Sequence, residues 1–176
     1  KIGVSIEYIY DPVGVQLGTA GAILPLKNKI HDTFIVTYAD LVRELNITEI
    51  INFHQRSKGL ATVNVYQHLE PQMKSEIIFN ERKRITEFIE HDKEIPRGDR
   101  KIWSNGSFYI FETQIFNYIP QGFCDIAKDV LPQLIYRNQV FAYESFGLLI
   151  DIGVKKRLVK ARNLFSKSSP LTAVRK

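Results

Sequence analysis

TFIVTYAD, residues 33–40, is a run of apolar and β-branched residues that ends at a carboxylate. Such a run is typical of a strand buried on both faces of a sheet. Asn46 then opens a capping box with Glu49, and four residues follow at helical spacing, Ile47, Ile50, Ile51 and His54. LATVNVYQ, residues 60–67, is rich in β-formers and returns to the sheet. These segments predict a strand–helix–strand unit with a right-handed crossover.

The rest of the chain continues this alternation. Strands are predicted at IGVSIEY (2–8), GSFYIF (106–111), VFAYES (140–145) and LLIDIG (148–153), and a hairpin joins SEIIF to RITEFIE around the turn NERK (80–83). Helical patterns run to about Lys29 with a break at Pro25, over 113–118, over 124–137 and over 154–165, and HDKEIPRGDRK (91–101) is predicted to be a loop. We therefore expect an α/β fold with a mainly parallel, Rossmann-like sheet flanked by helices.

Composition narrows the class of protein. The 176 residues and 44% hydrophobic content fit one domain, predicted over 1–165, with a polar, disordered tail at 166–176. The single cysteine, Cys124, has no partner for an internal disulfide, and the four histidines show no zinc spacing. The net charge of +5 is modest, and no basic patch is interleaved with aromatics, so no nucleic-acid partner is expected. No apolar run is long enough for a membrane span and no signal peptide is recognisable, so we expect a cytoplasmic protein without a membrane partner.

Two predicted strands end in aspartate, at Asp40 and Asp151. If both lie at the same edge of the sheet, their oxygens can converge on a hard cation such as Mg²⁺, which prefers carboxylates, waters and phosphate oxygens. The alternative is that each aspartate caps the next helix or turn. A second candidate feature is LGTAGA, residues 17–22, whose small side chains would let a ligand approach the backbone. Tight packing of a helix on a strand would explain these small residues as well.

Taken in order, six segments resemble the sugar-phosphate nucleotidyltransferases, in particular the mannose-1-phosphate and heptose-1-phosphate guanylyltransferases. The segments are LGTAGAI (17–23), FIVTYADLV (34–42), RITEFIE (84–90), WSNGSFYIF (103–111), FCDIAKDVLPQL (123–134) and GLLIDIGVKKRLVKA (147–161). The resemblance implies the nucleotide-diphospho-sugar transferase fold. It also implies that a nucleoside triphosphate and a sugar 1-phosphate form a nucleotide sugar, GDP-mannose or GDP-heptose for cell-surface polysaccharide, and pyrophosphate. The base, the sugar and any homo-oligomer stay open.

The resemblance also implies roles for particular residues. The small-residue loop, Leu17, Gly18, Thr19, Ala20 and Gly21, would face the nucleotide. Asp40 and Asp151 would hold Mg²⁺ and serve as the catalytic carboxylates, and the sugar would be bound by Glu90, Asn105 and Gly106.

Some family features are missing from this sequence. The glycine-rich phosphate loop of the form G-x-G-T-R-L is absent, so we expect the domain to be incomplete at its N-terminus by about 30 residues or more. Without that loop we expect these 176 residues to bind nucleotide poorly and to be inactive alone. Four positions also depart from the family pattern: Ala39, His91, Ser107 and Val154. They leave open an alternative, a non-catalytic nucleotidyltransferase-like domain for regulation or assembly.

Overall fold

The structure, a computed structural model, describes residues 3–68, 72–96, 98–99 and 101–167. Eight strands lie in this part of the chain: β1 (Phe34–Thr37), β2 (Leu41–Arg43), β3 (Ala61–His68), β4 (Gln72–Phe79), β5 (Ile85–Pro96), β6 (Ile102–Phe111), β7 (Val140–Ser145) and β8 (Leu149–Asp151). The α-helices are α1 (Gly18–Gly21), α2 (Ile47–Ser57), α3 (Leu131–Tyr136) and α4 (Lys155–Lys167). Two 3₁₀ turns cover Leu24–Leu26 and Thr113–Tyr118, and one π-helical turn covers Ile126–Val130.

A mixed central sheet organises these elements. Its strand order is β5-β4-β6-β3-β7, with β1 also paired to β6, while β2 and β8 form a separate two-stranded ribbon. The α/β class and the central sheet flanked by helices are confirmed. Strand direction differs from the expectation, because β3–β7 is the parallel pair and the other pairs in the described residues are antiparallel. The strand β6 runs between β1 and β3 in the opposite direction, and an apolar run carries no signal of its direction.

Successive side chains of β6 point to opposite faces of the sheet, and apolar residues on each face pack against a helical segment. Tyr109 and Phe111 belong to the main core, which includes residues of the 113–136 segment such as Ile126 and Leu134. Phe108 and Ile110 instead form a second cluster with Ile50 of α2. The sheet is therefore the middle layer between α2 on one side and the turn-rich 113–136 segment on the other.

The predicted N-cap at Asn46 is confirmed, and the reciprocal bond of Glu49 reaches the Asn46 side chain instead of its backbone N–H. Asn46 Oδ1 accepts a hydrogen bond from the Glu49 N–H at 3.2 Å, and Asn46 Nδ2 donates to Glu49 Oε1 at 2.8 Å. The helix buries Ile50 and His54, and it ends at Lys58, which has a left-handed φ of 56°. The capping residues therefore set the N-terminus of α2, as their spacing predicts.

Several predicted elements differ in the structure. The described part of IGVSIEY, residues 3–8, is exposed and has no regular structure, and β5 continues to Pro96 where a loop was predicted from His91. The strand β1 is not buried on both faces, since Ile35 is 41% exposed and pairing in the described residues reaches only β6. The helix α4 extends to Lys167, and the remainder of the predicted tail, 168–176, lies outside the described residues. Within the part of the chain that is described, no helix is long and apolar enough to cross a membrane.

Candidate functional site

The small-residue loop is held against a neighbouring segment by its own backbone. The N–H groups of Ala20 and Gly21 both donate to the Cys124 carbonyl, at 2.9 and 3.0 Å, and the Cys124 N–H donates to the Leu17 carbonyl at 2.9 Å. The amides at the start of α1 are thus already engaged within the protein. These two amides are therefore not open to an anion, as the amides at a helix N-terminus often are.

Packing also accounts for the two glycines of this loop. A Cβ on Gly18 would lie 2.5 Å from the Cys124 carbonyl oxygen, and Gly18 has a φ of +72°. A Cβ on Gly21 would lie 2.5 Å from the Gly122 carbonyl oxygen. Both contacts are closer than a side chain tolerates, so the close approach of two backbone segments requires glycine here. Of the two explanations that the sequence leaves open, the packing one is thus sufficient.

Thr19 is the polar member of the loop, and it is bonded to Asp125. Its hydroxyl donates to Asp125 Oδ2 at 2.8 Å and accepts from the Ile126 N–H at 2.8 Å. Asp125 Oδ1 in turn accepts from the N–H groups of Ala127 and Lys128, at 2.8 and 3.0 Å, so Asp125 caps the helical segment that follows. The loop is therefore tied to the start of the 126–136 helical region by a side chain as well as by its backbone.

Two tyrosines connect this loop to β6. Burial raises the pKa of the Tyr38 hydroxyl, against a hydrogen bond with Thr19, and the charges of Asp125 and Glu90 act in the same direction as burial. Burial likewise raises the pKa of Tyr109 well above its ordinary value. The rings of Tyr38 and Tyr109 lie 6.4 Å apart, centroid to centroid. Both hydroxyls therefore stay protonated near neutral pH and can donate hydrogen bonds.

The three residues predicted to bind the sugar lie next to these tyrosines. Asn105 Nδ2 donates to the Tyr109 hydroxyl at 2.7 Å, and the Asn105 N–H donates to the Ser75 hydroxyl at 3.1 Å. Ser75 of β4 is the register partner of Glu90 in β5, so Glu90, Ser75 and Asn105 form a row across three strands. The neighbouring Gly106 has no room for a Cβ, which would lie 2.6 Å from Asn64 Oδ1.

The structure also brings Asp40 and Asp151 together. Asp151 ends β8 and is the register partner of Leu41 in β2, so Asp40 comes directly before this pairing. Asp151 Oδ1 and Asp40 Oδ2 lie 3.2 and 3.4 Å from the point that a Cβ on Gly153 would occupy. The Ile152 N–H donates to the Asp40 carbonyl at 2.7 Å, and Asp151 Oδ2 pairs with Arg157 at 3.0 Å. Asp151 Oδ1 also accepts a hydrogen bond from the Gly153 N–H at 2.7 Å, so Asp151 caps this turn, which is the alternative that the sequence leaves open, and both carboxylates lie beside Gly153.

The residues proposed from the sequence thus fall into two adjoining groups. One contains Thr19, Glu90 and Asn105, joined through the two tyrosines, and the other is the aspartate pair. Tyr38 belongs to the first group and lies two residues before Asp40, so the chain itself connects them. Sequence reasoning missed Tyr38, Tyr109 and Arg43. Tyr38 stands in the same strand-end segment as Asp40, which was the available signal, whereas Arg43 carried none.

A row of polar side chains thus crosses the mixed central sheet, and a pair of aspartates lies at one end of the separate β2–β8 ribbon. The chain belongs to the Nucleotidyl transferase family, whose pattern it matches over residues 1–168.

Curated relatives include the mannose-1-phosphate guanylyltransferase catalytic subunit beta of Dictyostelium discoideum, which is 25% identical over 171 residues. That match covers 96% of this chain and 46% of the relative. The chain therefore spans about half the length of this relative.

Solved structures show the same fold. A Bacillus anthracis protein named as a glucose-1-phosphate thymidylyltransferase, in complex with a sucrose, superposes with a TM-score of 0.78 at 20% identity, covering 96% of this chain and 68% of that one. HddC from Yersinia pseudotuberculosis, complexed with GMP-PN, superposes with a TM-score of 0.66 at 20% identity, covering 86% and 64%. At these identities the likeness establishes the fold alone.

Proposed function

We propose that the protein is a cytoplasmic sugar-1-phosphate nucleotidyltransferase that forms GDP-mannose or GDP-heptose. The observation that carries this proposal is the juxtaposition of Asp40 and Asp151 beside Gly153. Membership of the Nucleotidyl transferase family and the guanylyltransferase names among the relatives support it. The substrates would be GTP and a sugar 1-phosphate, and the second product would be pyrophosphate.

Each group of residues has a role in this proposal. The loop from Leu17 to Gly21, comprising also Gly18, Thr19 and Ala20, would lie against the nucleotide. Because its amides are bonded to Cys124, contact with the nucleotide would come from its outer surface and not from a helix terminus. Glu90 and Asn105 would accept and donate hydrogen bonds to sugar hydroxyls, and the backbone of Gly106 would lie against the sugar beside them.

We assign the proposed magnesium site to Asp40 and Asp151. Mg²⁺ commonly binds one or two protein carboxylates and keeps its remaining positions for waters and substrate phosphates. Among the residues that are described, no group of three or more His, Cys, Asp and Glu side chains is placed to hold a metal ion, so a two-carboxylate site is what this part of the chain offers. When bound, the ion would neutralise charge on the phosphate oxygens.

The reaction would need alignment more than covalent help from the protein. An oxygen of the sugar 1-phosphate would attack the α-phosphorus of GTP, one P–O bond would form and the bond to pyrophosphate would break. Holding both phosphates in line lowers the barrier by removing the entropy of their encounter. The row formed by Glu90, Ser75 and Asn105 would hold the sugar in place during that step.

A pyrophosphate-release assay tests this proposal. The 176-residue chain, and the same chain extended by any residues that its coding sequence supplies upstream, would be incubated with Mg²⁺, a panel of nucleoside triphosphates, and mannose, heptose and glucose 1-phosphates. We expect release by the extended chain with GTP and one of the first two sugars, and little or none by the 176 residues alone. Release with another base would correct the proposed specificity and leave the enzyme class intact.

A second candidate is a non-catalytic nucleotidyltransferase-like domain with a regulatory or assembly role. It is favoured by the pairing of Asp151 Oδ2 with Arg157, which neutralises one of the two proposed metal ligands from within the protein. The assay separates the two candidates, because a folded, extended chain that is silent with every substrate pair would support the non-catalytic domain.

A further inference from the structure

We propose that Arg43 is a positioning residue that anchors the ribbon carrying the Asp40–Asp151 pair to the irregular segment of β6. The inference rests on the proposed metal-binding role of that pair. Arg43 itself touches neither carboxylate in any contact that the structure shows; it would act through the position of the ribbon.

The irregular segment of β6 explains why an arginine is useful here. Val63 of β3 pairs with Tyr109 of β6, and Val65 pairs with Asn105. One residue of β3 therefore lies opposite three residues of β6, 106–108, which form a bulge. Ser107 within it has a left-handed φ of 51°. A bulge interrupts the ladder and leaves backbone groups to be satisfied by other partners. The carbonyls of Gly106 and Ser107 lie in this segment, and the Ser107 carbonyl also accepts a hydrogen bond from the Tyr38 N–H at 3.4 Å.

Arg43 donates hydrogen bonds to both carbonyls from the ribbon. Its Nη1 donates to the Gly106 carbonyl at 2.6 Å and its Nη2 donates to the Ser107 carbonyl at 3.3 Å. The guanidinium carbon also lies 5.3 Å from the centroid of the Phe108 ring. A planar fork with two donors matches two successive carbonyls, whereas the single ammonium of lysine does not. The contact is half-buried, which strengthens bonds made by a charged donor.

The ribbon needs such an anchor because two strands alone are marginally stable in water. The pairs Leu41↔Asp151 and Arg43↔Leu149 place the carboxylates at one end of the β2–β8 ribbon and Arg43 at the other end. Fixing that far end restricts rotation of the ribbon, and therefore restricts movement of both carboxylates relative to the sheet. Because Gly106 adjoins Asn105, the same bonds also set the distance between the proposed metal site and the proposed sugar site.

Direct measurement of metal affinity tests this role without requiring turnover. Mn²⁺, a paramagnetic ion with similar oxygen preference, would be titrated into the full chain and the free ion followed by electron paramagnetic resonance. Loss of a residue that orients metal ligands lowers affinity by about 10- to 100-fold. We expect Arg43→Met to weaken Mn²⁺ binding by about 10-fold and Arg43→Lys to weaken it by less.

Arg137→Met is a matched control. Arg137 also combines a carbonyl contact, to Gln133 at 3.0 Å, with a ring contact, to Tyr118 at 5.4 Å, but it lies on the exposed end of α3. We expect its Mn²⁺ affinity to equal that of the wild type. Circular dichroism and urea unfolding would establish that each variant is folded, and if Arg43→Met fails to fold, Arg43→Lys carries the comparison.

The outcomes separate the two proposals. If the wild type binds Mn²⁺ and the Arg43 variants bind it with equal affinity, the positioning role is wrong and the proposed metal site is retained. No binding by the folded wild type would contradict the metal site, and the positioning role with it. Weaker binding in the Arg43 variants but not in Arg137→Met supports both.

Discussion

Replacement of Gly18 by alanine should destabilise the protein even when no ligand is present. Two effects act together at this position: φ is +72°, and the new Cβ would lie 2.5 Å from the Cys124 carbonyl oxygen. Left-handed backbone costs a residue with a Cβ about 1–2 kcal/mol, and overpacking costs about 1–3 kcal/mol. We therefore expect the free energy of unfolding to fall by about 2–5 kcal/mol, a large share of the stability of a typical domain.

Two other glycines separate these effects. Gly14 has a similar φ of +75° but nothing within 4 Å of its Cβ position, so Gly14→Ala tests backbone strain alone. Gly21 lacks a positive φ but would place its Cβ 2.5 Å from the Gly122 carbonyl oxygen, so Gly21→Ala tests the clash alone. Urea unfolding, with the slope compared among variants, gives each difference. If Gly18→Ala were no less stable than Gly14→Ala, packing would not be the reason for the small residues, and a ligand contact would become the better explanation.

Two further substitutions test local features of the fold. Asn46→Ala should lower stability by about 1 kcal/mol in urea unfolding, because it removes the side chain that caps α2, and an unchanged midpoint would contradict that role. Burial lowers the pKa of His54 despite its hydrogen bond to Glu112, so the unfolded chain takes up this proton first as the pH falls below about 6.5 and stability falls with it. Between pH 7.5 and pH 5.5, the His54→Gln variant should lose less unfolding free energy than the wild type, as measured by urea unfolding at both pH values. An equal loss in the two proteins would exclude His54 as the titrating group.

Local signals in the sequence predicted most of the elements because those signals are short-range. The capping pair Asn46 and Glu49 sets the start of α2 from within four residues, and the turn NERK sets the hairpin of β4 and β5 in the same way. Strand direction is a long-range property. That β6 lies antiparallel between β1 and β3 depends on pairing with partners 34 or more residues away, which no local pattern encodes.

In the candidate site, too, local features could be predicted from the sequence and long-range contacts could not. The sequence suggested that Asp40 and Asp151 meet at a sheet edge; the structure places both beside Gly153, but Asp40 lies in a turn after β1 and the pairing of β2 with β8 brings the two together. The small-residue loop was ambiguous, because glycine serves close backbone packing and ligand approach equally well. Its contact with Cys124 could not be foreseen, since the two segments are about 100 residues apart in the chain. Arg43 was missed because its partners are carbonyls in a bulged segment, and a bulge has no reliable sequence pattern.

The measurement that tests the metal-centre proposal most directly is Mg²⁺-dependent pyrophosphate release by Asp151→Ala in the extended chain, compared with the wild type and with Asp32→Ala. Asp32 is exposed and lies outside the proposed site, so its variant controls for the loss of one carboxylate. We predict that Asp151→Ala loses Mg²⁺-dependent turnover while remaining folded by circular dichroism, and that Asp32→Ala retains it. Turnover by Asp151→Ala near the wild-type rate would show that the Asp40–Asp151 pair is not the metal centre.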